Sequence, residues 1–172
     1  MPRMWWVMSA IAVAAVLTAY LAWTAHRVER VHVRARSAAR ALDAHLLRRA
    51  AAAAVVAEQT DFIELYAAAR LALDADDDDR EAAENDLTRQ LQAATLTGAD
   101  PATRTLVATS RRAVLARQVH TDLVRDALTA RRRPLVRALG MARQYDLPTY
   151  FEMVEPTLPA ARRPLPDATV LS

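Results

Sequence analysis

The chain has 172 residues, room for one modest domain beyond an N-terminal segment. It has no cysteine and only two glycines. That excludes disulfides, thiolate metal sites and cysteine nucleophiles, and leaves little material for β-hairpins, Rossmann turns or phosphate loops. Hydrophobic residues make up 53% and aromatics only 5%, at a formal net charge of +3. Such an alanine-rich composition favours long helices packed through small side chains, because alanine is the best helix former and adds little buried area.

The first element is the uncharged run from Met4 to Trp23, MWWVMSAIAVAAVLTAYLAW. As a helix, about 20 residues rising 1.5 Å each cover roughly 30 Å, the thickness of a bilayer's hydrocarbon core. Trp5 and Trp6 stand at one end and Tyr20 and Trp23 at the other, where aromatic rings meet the two headgroup levels. A signal peptide has a shorter apolar region, a basic start and a small-x-small cleavage site. Here only Arg3 precedes the run, and a cleavage site ending at Ala25 would have Trp23 where a small residue belongs. The expectation is a retained transmembrane helix over residues 1–25 with its short N-terminus. Arg27, Arg30 and Arg34 follow directly, with Arg36 and Arg40 beyond. The positive-inside rule puts that side in the cytoplasm and the N-terminus outside, and these arginines favour an anionic leaflet.

Residues 26–153 read as a cytoplasmic helical domain. Between His26 and Glu58 no proline or glycine interrupts, and Val31, Ala35, Ala38, Leu42, Leu46, Ala53 and Val56 recur at helical spacing. The anchor is therefore expected to run straight into a long helix, which breaks at Gln59-Thr60-Asp61. Thr60 or Asp61 is expected to N-cap the next helix. That helix carries Phe62, Leu65, Tyr66, Ala69 and Leu73 on one face. After the acidic run Asp74–Asp79 the stripe resumes at Ala83, Leu87, Leu91 and Ala94, so the run is either a bulge in one helix or a loop between two. Asp78 and Glu81 have capping-box spacing.

Thr97-Gly98-Ala99-Asp100-Pro101 reads as a turn, with Gly98 at a helix C′ position, Asp100 as N-cap and Pro101 as first helical residue. The following helix has Val107, Val114, Leu128 and Leu135 at seven-residue spacing, with Ser110, Arg117, Val124 and Arg131 on the neighbouring row. Pro134 must kink or end it, and Gly140 is a second stop. The segment TYFEMV, from Thr149, is expected to fold back as a cap. Four prolines in residues 154–172 make the tail an expected extended, disordered segment.

The fold class that follows is all-α: an N-terminal transmembrane helix continuing into an antiparallel three- or four-helix bundle of long helices of matched length. Glu58–Asp86 holds eleven acids against two arginines, and Arg104–Arg143 ten arginines against two acids, so opposite charge is expected to set the register of these segments. Leu42, Leu46, Leu87, Leu91, Val124 and Leu128 are expected to share one interior.

Ala116-Arg117-Gln118-Val119-His120-Thr121-Asp122-Leu123-Val124-Arg125-Asp126, with Thr129-Ala130, Pro134 and Pro148-Thr149-Tyr150-Phe151-Glu152, resembles the C-terminal half of the LemA family. These are bacterial single-span membrane proteins with a helical cytoplasmic bundle. Ala41–Arg49 and Asn85–Leu91 resemble that family's first cytoplasmic helix and middle segment. His120-Thr121 and Ala127-Leu128 replace the family's two Tyr-Asn pairs, and Pro134 falls one place early. The resemblance implies anchor, bundle and topology, and carries no catalytic residue.

The acidic run lacks the glycine and distal glutamate of an EF-hand, and reads as a solvated turn. His26, His32, His45 and His120 show no metal-ligand spacing. No base stands at a suggestive spacing from Ser110. No reading helix or aromatic platform for nucleic acid accompanies the arginines. The expectation is a non-enzymatic protein without cofactor or metal, a platform for unnamed protein partners at the lipid bilayer, with self-association open. The alternatives are a ligand-sensing bundle or a subunit of a membrane-bound enzyme complex.

Overall fold

The structure is a computed structural model that describes residues 2–94, 96 and 100–152. Its described residues form five helices and no strand: α1 (Pro2–Thr60), α2 (Ile63–Asp74), α3 (Arg80–Ala93), α4 (Pro101–Arg132) and α5 (Pro134–Ala138). The expected turn residues Thr97-Gly98-Ala99 and the proline-rich tail 154–172 lie outside the described residues.

The apolar N-terminal run does continue without a break into the following segment, as one helix of 59 residues. It is long and apolar enough to cross a membrane, and only 6% of its apolar window is buried. What ends it differs from the sequence expectation. Thr60 and Asp61 close α1 and do not cap α2. The Thr60 hydroxyl donates back to the Val56 carbonyl, and Asp61 turns left-handed at φ 51°. The Phe62 N–H then returns to the Ala57 carbonyl, which is the Schellman closure, with aspartate in the place glycine usually takes. The N-cap of α2 is Phe62, without a side-chain cap.

The acidic run resolves as a loop: α2 ends at Asp74 and α3 begins at Arg80. Asp79, not Asp78, is the N-cap of α3, and it makes no side-chain cap, so the capping box is not formed. Of the two alternatives the loop is the one formed, with helices of 12 and 14 residues on either side of it. They are about 18 and 21 Å long at the helical rise, so matched lengths are lost. α4 starts as its sequence predicts. Asp100 Oδ2 accepts from the Ala102 and Thr103 N–H groups at 3.1 and 3.2 Å. Pro134 ends it and opens α5 at the first helical position.

The chain forms two compact units. One takes Met1–Ala39 and Val119–Tyr150, the other Arg40–Gln118 and Phe151–Ser172.

In the second unit α2 packs on α3. Its main core combines Ala50, Ala53, Val56 and Ala57 of α1 with Leu65 and Ala69 of α2, Leu87 and Leu91 of α3, and Leu106 of α4. Leu42 and Leu46 belong to a separate cluster with Ala113, closed by Phe151. The Glu152 N–H donates to Glu81 Oε1 at 3.0 Å, so this end of the chain reaches back to α3, with no helix in its described residues from 146 on. The single interior expected for six residues is thus divided. Val124 is buried in the first unit, and Leu128 is only half-buried. The reason lies in α4. Its buried row is Thr103, Leu106, Ser110, Ala113, His120, Val124 and Ala127, which includes two members of the row beside the apolar heptad stripe. Val107 and Val114 are half-buried.

In the first unit Val28 of α1 packs with Val136 of α5 and Ala142, flanked by Met141 and Tyr145. Gly140, at φ 63°, sets the path of this segment. The Met141 N–H returns to the Val136 carbonyl and the Gly140 N–H to Arg137, a second Schellman closure, and Met141 packs with Val136 as that motif requires.

Candidate functional site

Every aromatic residue assigned to a membrane interface stands exposed: Trp5 and Trp6 at 79%, Tyr20 at 50% and Trp23 at 51%. At the second end three of the assigned residues come together. Tyr20 and Trp23 stack with ring centroids 6.3 Å apart, and the Arg27 guanidinium lies 5.6 Å from the Trp23 ring. Arg30 and Arg34 are also exposed, and Arg30 Nε donates to the His26 carbonyl at 3.3 Å. The helical repeat accounts for this cluster. Residues three and four apart share a face, so positions 20, 23 and 27 form one column.

The polar groups in the interior lie elsewhere. In the second unit Arg49 Nη1 donates to Glu84 Oε2 at 2.7 Å, and Nη2 to the Thr88 hydroxyl at 2.8 Å. Thr88 in turn donates to the Glu84 carbonyl one turn back. Arg49, Glu84 and Thr88 are fully buried. Burial pushes the Glu84 carboxyl up and the Arg49 guanidinium down, and the attraction between them offsets only part of each shift. Arg49 Nε and Glu84 Oε1 have no partner. Nearer the surface, Arg80 Nε lies 3.1 Å from Asp43 Oδ1. Both pairs join α1 to α3. A closed pair of this kind has no path for a substrate. Its chemistry is positional, since sliding either helix would strand a buried charge.

The first unit contains an open cavity of about 200 Å³. Ala35 and Ala39 of α1, Val124 of α4, and Leu147 and Pro148 form its apolar lining. His32, Arg36, His120, Tyr145, Asp146 and Thr149 supply polar groups. The His32 ring stacks on Tyr145 at 4.8 Å, and the Arg36 guanidinium lies 5.8 Å from the same ring. Arg131 Nη1 donates to the Tyr145 carbonyl at 2.9 Å and also approaches His32 Nε2 at 3.4 Å. Its other neighbour in the segment is the Asp146 carbonyl. These contacts define the His32 tautomer. Nδ1 faces the Val28 carbonyl at 2.8 Å and must donate, while Nε2 faces an arginine, which can only donate, and must accept. Both ring nitrogens of His32 are thus committed. His120 is different. It is 6% exposed, its Nδ1 has no partner, and burial lowers its pKa below the usual 6.5.

Sequence reasoning singled out the exposed aromatic and arginine residues of α1 and missed both interior groups. A signal was present. Arg49 continues the row Leu42–Leu46–Ala53–Val56, Glu84 and Thr88 share a face with Leu87 and Leu91, and His120 lies between Ala113 and Val124. A polar residue in a core register is the mark of a buried polar site. The acidic residues Asp76–Asp79 are exposed, and among the described residues no three His, Asp or Glu side chains gather as a metal site.

No family model, curated protein or solved structure matches the chain.

Proposed function

We propose that the chain is a LemA-like, single-pass membrane protein. In this reading its helices beyond the anchor form an antiparallel bundle that serves as a non-enzymatic platform for protein partners at the cytoplasmic face. One observation carries the reading: the apolar run of α1 is exposed along its length, whereas the core helix of a water-soluble domain would be covered. The arginines after Trp23 orient it, with the N-terminus outside. The outer face of α2 supports the platform role. Ile63 is 77% and Leu71 63% exposed beside a core in which Leu65 and Ala69 are fully closed. Tethering would raise the effective concentration of any partner held there.

The absence of cysteine makes a direct test simple. Ser37→Cys places one thiol on the exposed surface beyond the anchor. A membrane-impermeant maleimide should label it only after cells are opened, and labelling in intact cells would overturn the orientation. For the platform role, a photo-crosslinking residue at Leu71 should give discrete adducts in membranes that Ile63→Glu abolishes. Adducts identical to those from exposed Arg89 would refute it.

A further inference from the structure

We propose that the cavity of the first unit binds a small organic monocarboxylate with an apolar body. The site stands apart from the platform role and needs neither a partner nor the proposed orientation.

Size comes first. A cavity of about 150 Å³ lined by apolar side chains accepts benzene. The space here is about 200 Å³, enough for one ring or a short branched chain with a carboxylate attached. Ala35, Ala39, Val124 and Pro148 give such a body an apolar bed. Ala35 and Ala39 also lie one turn apart, so the helix offers no long side chain to fill the space between them.

The charge of the ligand follows from the polar groups. Arg36 is exposed at the rim and lies over the Tyr145 ring. The first unit carries eleven arginines against four acids, a net +7. A cationic ligand would meet this field head-on. A purely apolar ligand would leave His120 without a partner. A dianion would meet a single lining arginine, Arg36, because both nitrogens of His32 are committed and Arg131 is held by backbone carbonyls. Asp146, exposed at the rim, adds a further charge against it. A single carboxylate matches what is left. It pairs with Arg36 in a charge-assisted contact and accepts a hydrogen bond from His120. Burial keeps His120 neutral, with one proton to place. Nδ1 is closed off without an acceptor, and a buried orphan N–H is costlier than an orphan lone pair. The proton therefore sits on Nε2, which becomes the donor to the ligand.

The test uses the full chain in nanodiscs of zwitterionic lipid, with benzoate as probe and calorimetry or saturation-transfer NMR as readout. Benzamide has the ring without the charge, and acetate the charge without the ring. Benzoate should bind saturably, and both analogues at least about tenfold more weakly, the equivalent of one lost charge-assisted contact. Arg36→Gln should weaken benzoate about tenfold, and His120→Leu at least as much. Ala39→Leu fills the cavity from an exposed position that closes no core, and should abolish binding while leaving the melting temperature unchanged. The proposal is overturned by benzoate that fails to saturate below about 10 mM, far weaker than a specific site. It is equally overturned if benzamide binds as well as benzoate, or if the Ala39→Leu chain binds as the parent does.

Discussion

Arg49 and Glu84 meet at 2.7 Å with neither side chain reaching solvent. They are 35 residues apart in sequence, and their contact ties α1 to α3 at one register. The pair is incompletely satisfied, since Arg49 Nε and Glu84 Oε1 have no partner. Desolvation on this scale rarely yields net stability, yet removing one partner leaves a bare charge in the core. Arg49→Met alone should therefore destabilise the chain by about 3–5 kcal/mol, and Glu84→Leu alone by a similar amount. The double variant should recover most of the loss. Thermal unfolding of the full chain in detergent would decide this, and two single variants that melt like the parent would contradict the burial argument.

The division of the interior predicts unequal leucines. Leu87 is fully buried among α1, α2 and α4 side chains, whereas Leu128 is half-buried. Leu87→Ala should cost about 2–5 kcal/mol through lost transfer energy and the cavity left behind, and Leu128→Ala clearly less. Chemical denaturation of the two variants side by side provides the comparison. Equal losses would mean that Leu128 lies in a closed core after all.

Gly140 should resist substitution. Its φ of 63° is open to glycine, and a Cβ there would meet Arg143 Cδ at 3.3 Å. Gly140→Ala should cost about 1–2 kcal/mol, and Gly140→Asn less, because asparagine tolerates the left-handed region. A melting temperature that ranks alanine above asparagine would run against this account.

His120 should make stability acid-sensitive. Burial lowers its folded-state pKa below the unfolded value near 6.5, so the unfolded chain binds the proton more readily. The contribution is complete above about pH 6.5 and is lost as the pH falls through the folded pKa. Between pH 8 and pH 5 the parent chain should lose more stability than His120→Leu. Parallel curves for the two would show that the ring takes up its proton without cost.

Spacing and punctuation made much of the fold legible. The uninterrupted His26–Glu58 pattern, the Asp100-Pro101 start and the stops at Pro134 and Gly140 each rest on local backbone chemistry, which acts within one turn. Asp61 was not legible because its left-handed turn is selected by the return of Phe62 to Ala57 and by the packing of Phe62 on the core. The acidic run was ambiguous because aspartates suit both a loop and a helix N-terminus. The polar interior was least legible. Helical spacing says which face a residue occupies, but not what stands opposite. Arg131 reaches His32 across 99 positions, and no periodicity encodes such a pairing.

The division of the chain also imposes an order on its synthesis. The main core of the second unit draws on a continuous stretch, from Ala50 to Leu106. That stretch can close while the ribosome is still translating the residues beyond α4, since folding during synthesis proceeds from the N-terminal side. The first unit must wait, because its early part, ending at Ala39, finds its complement only in Val119–Tyr150. His32 and Ala35 therefore emerge long before His120, Val124 and Tyr145 exist. The ligand cavity is among the last features of the protein to be made, and a prematurely terminated chain would have a core but no cavity.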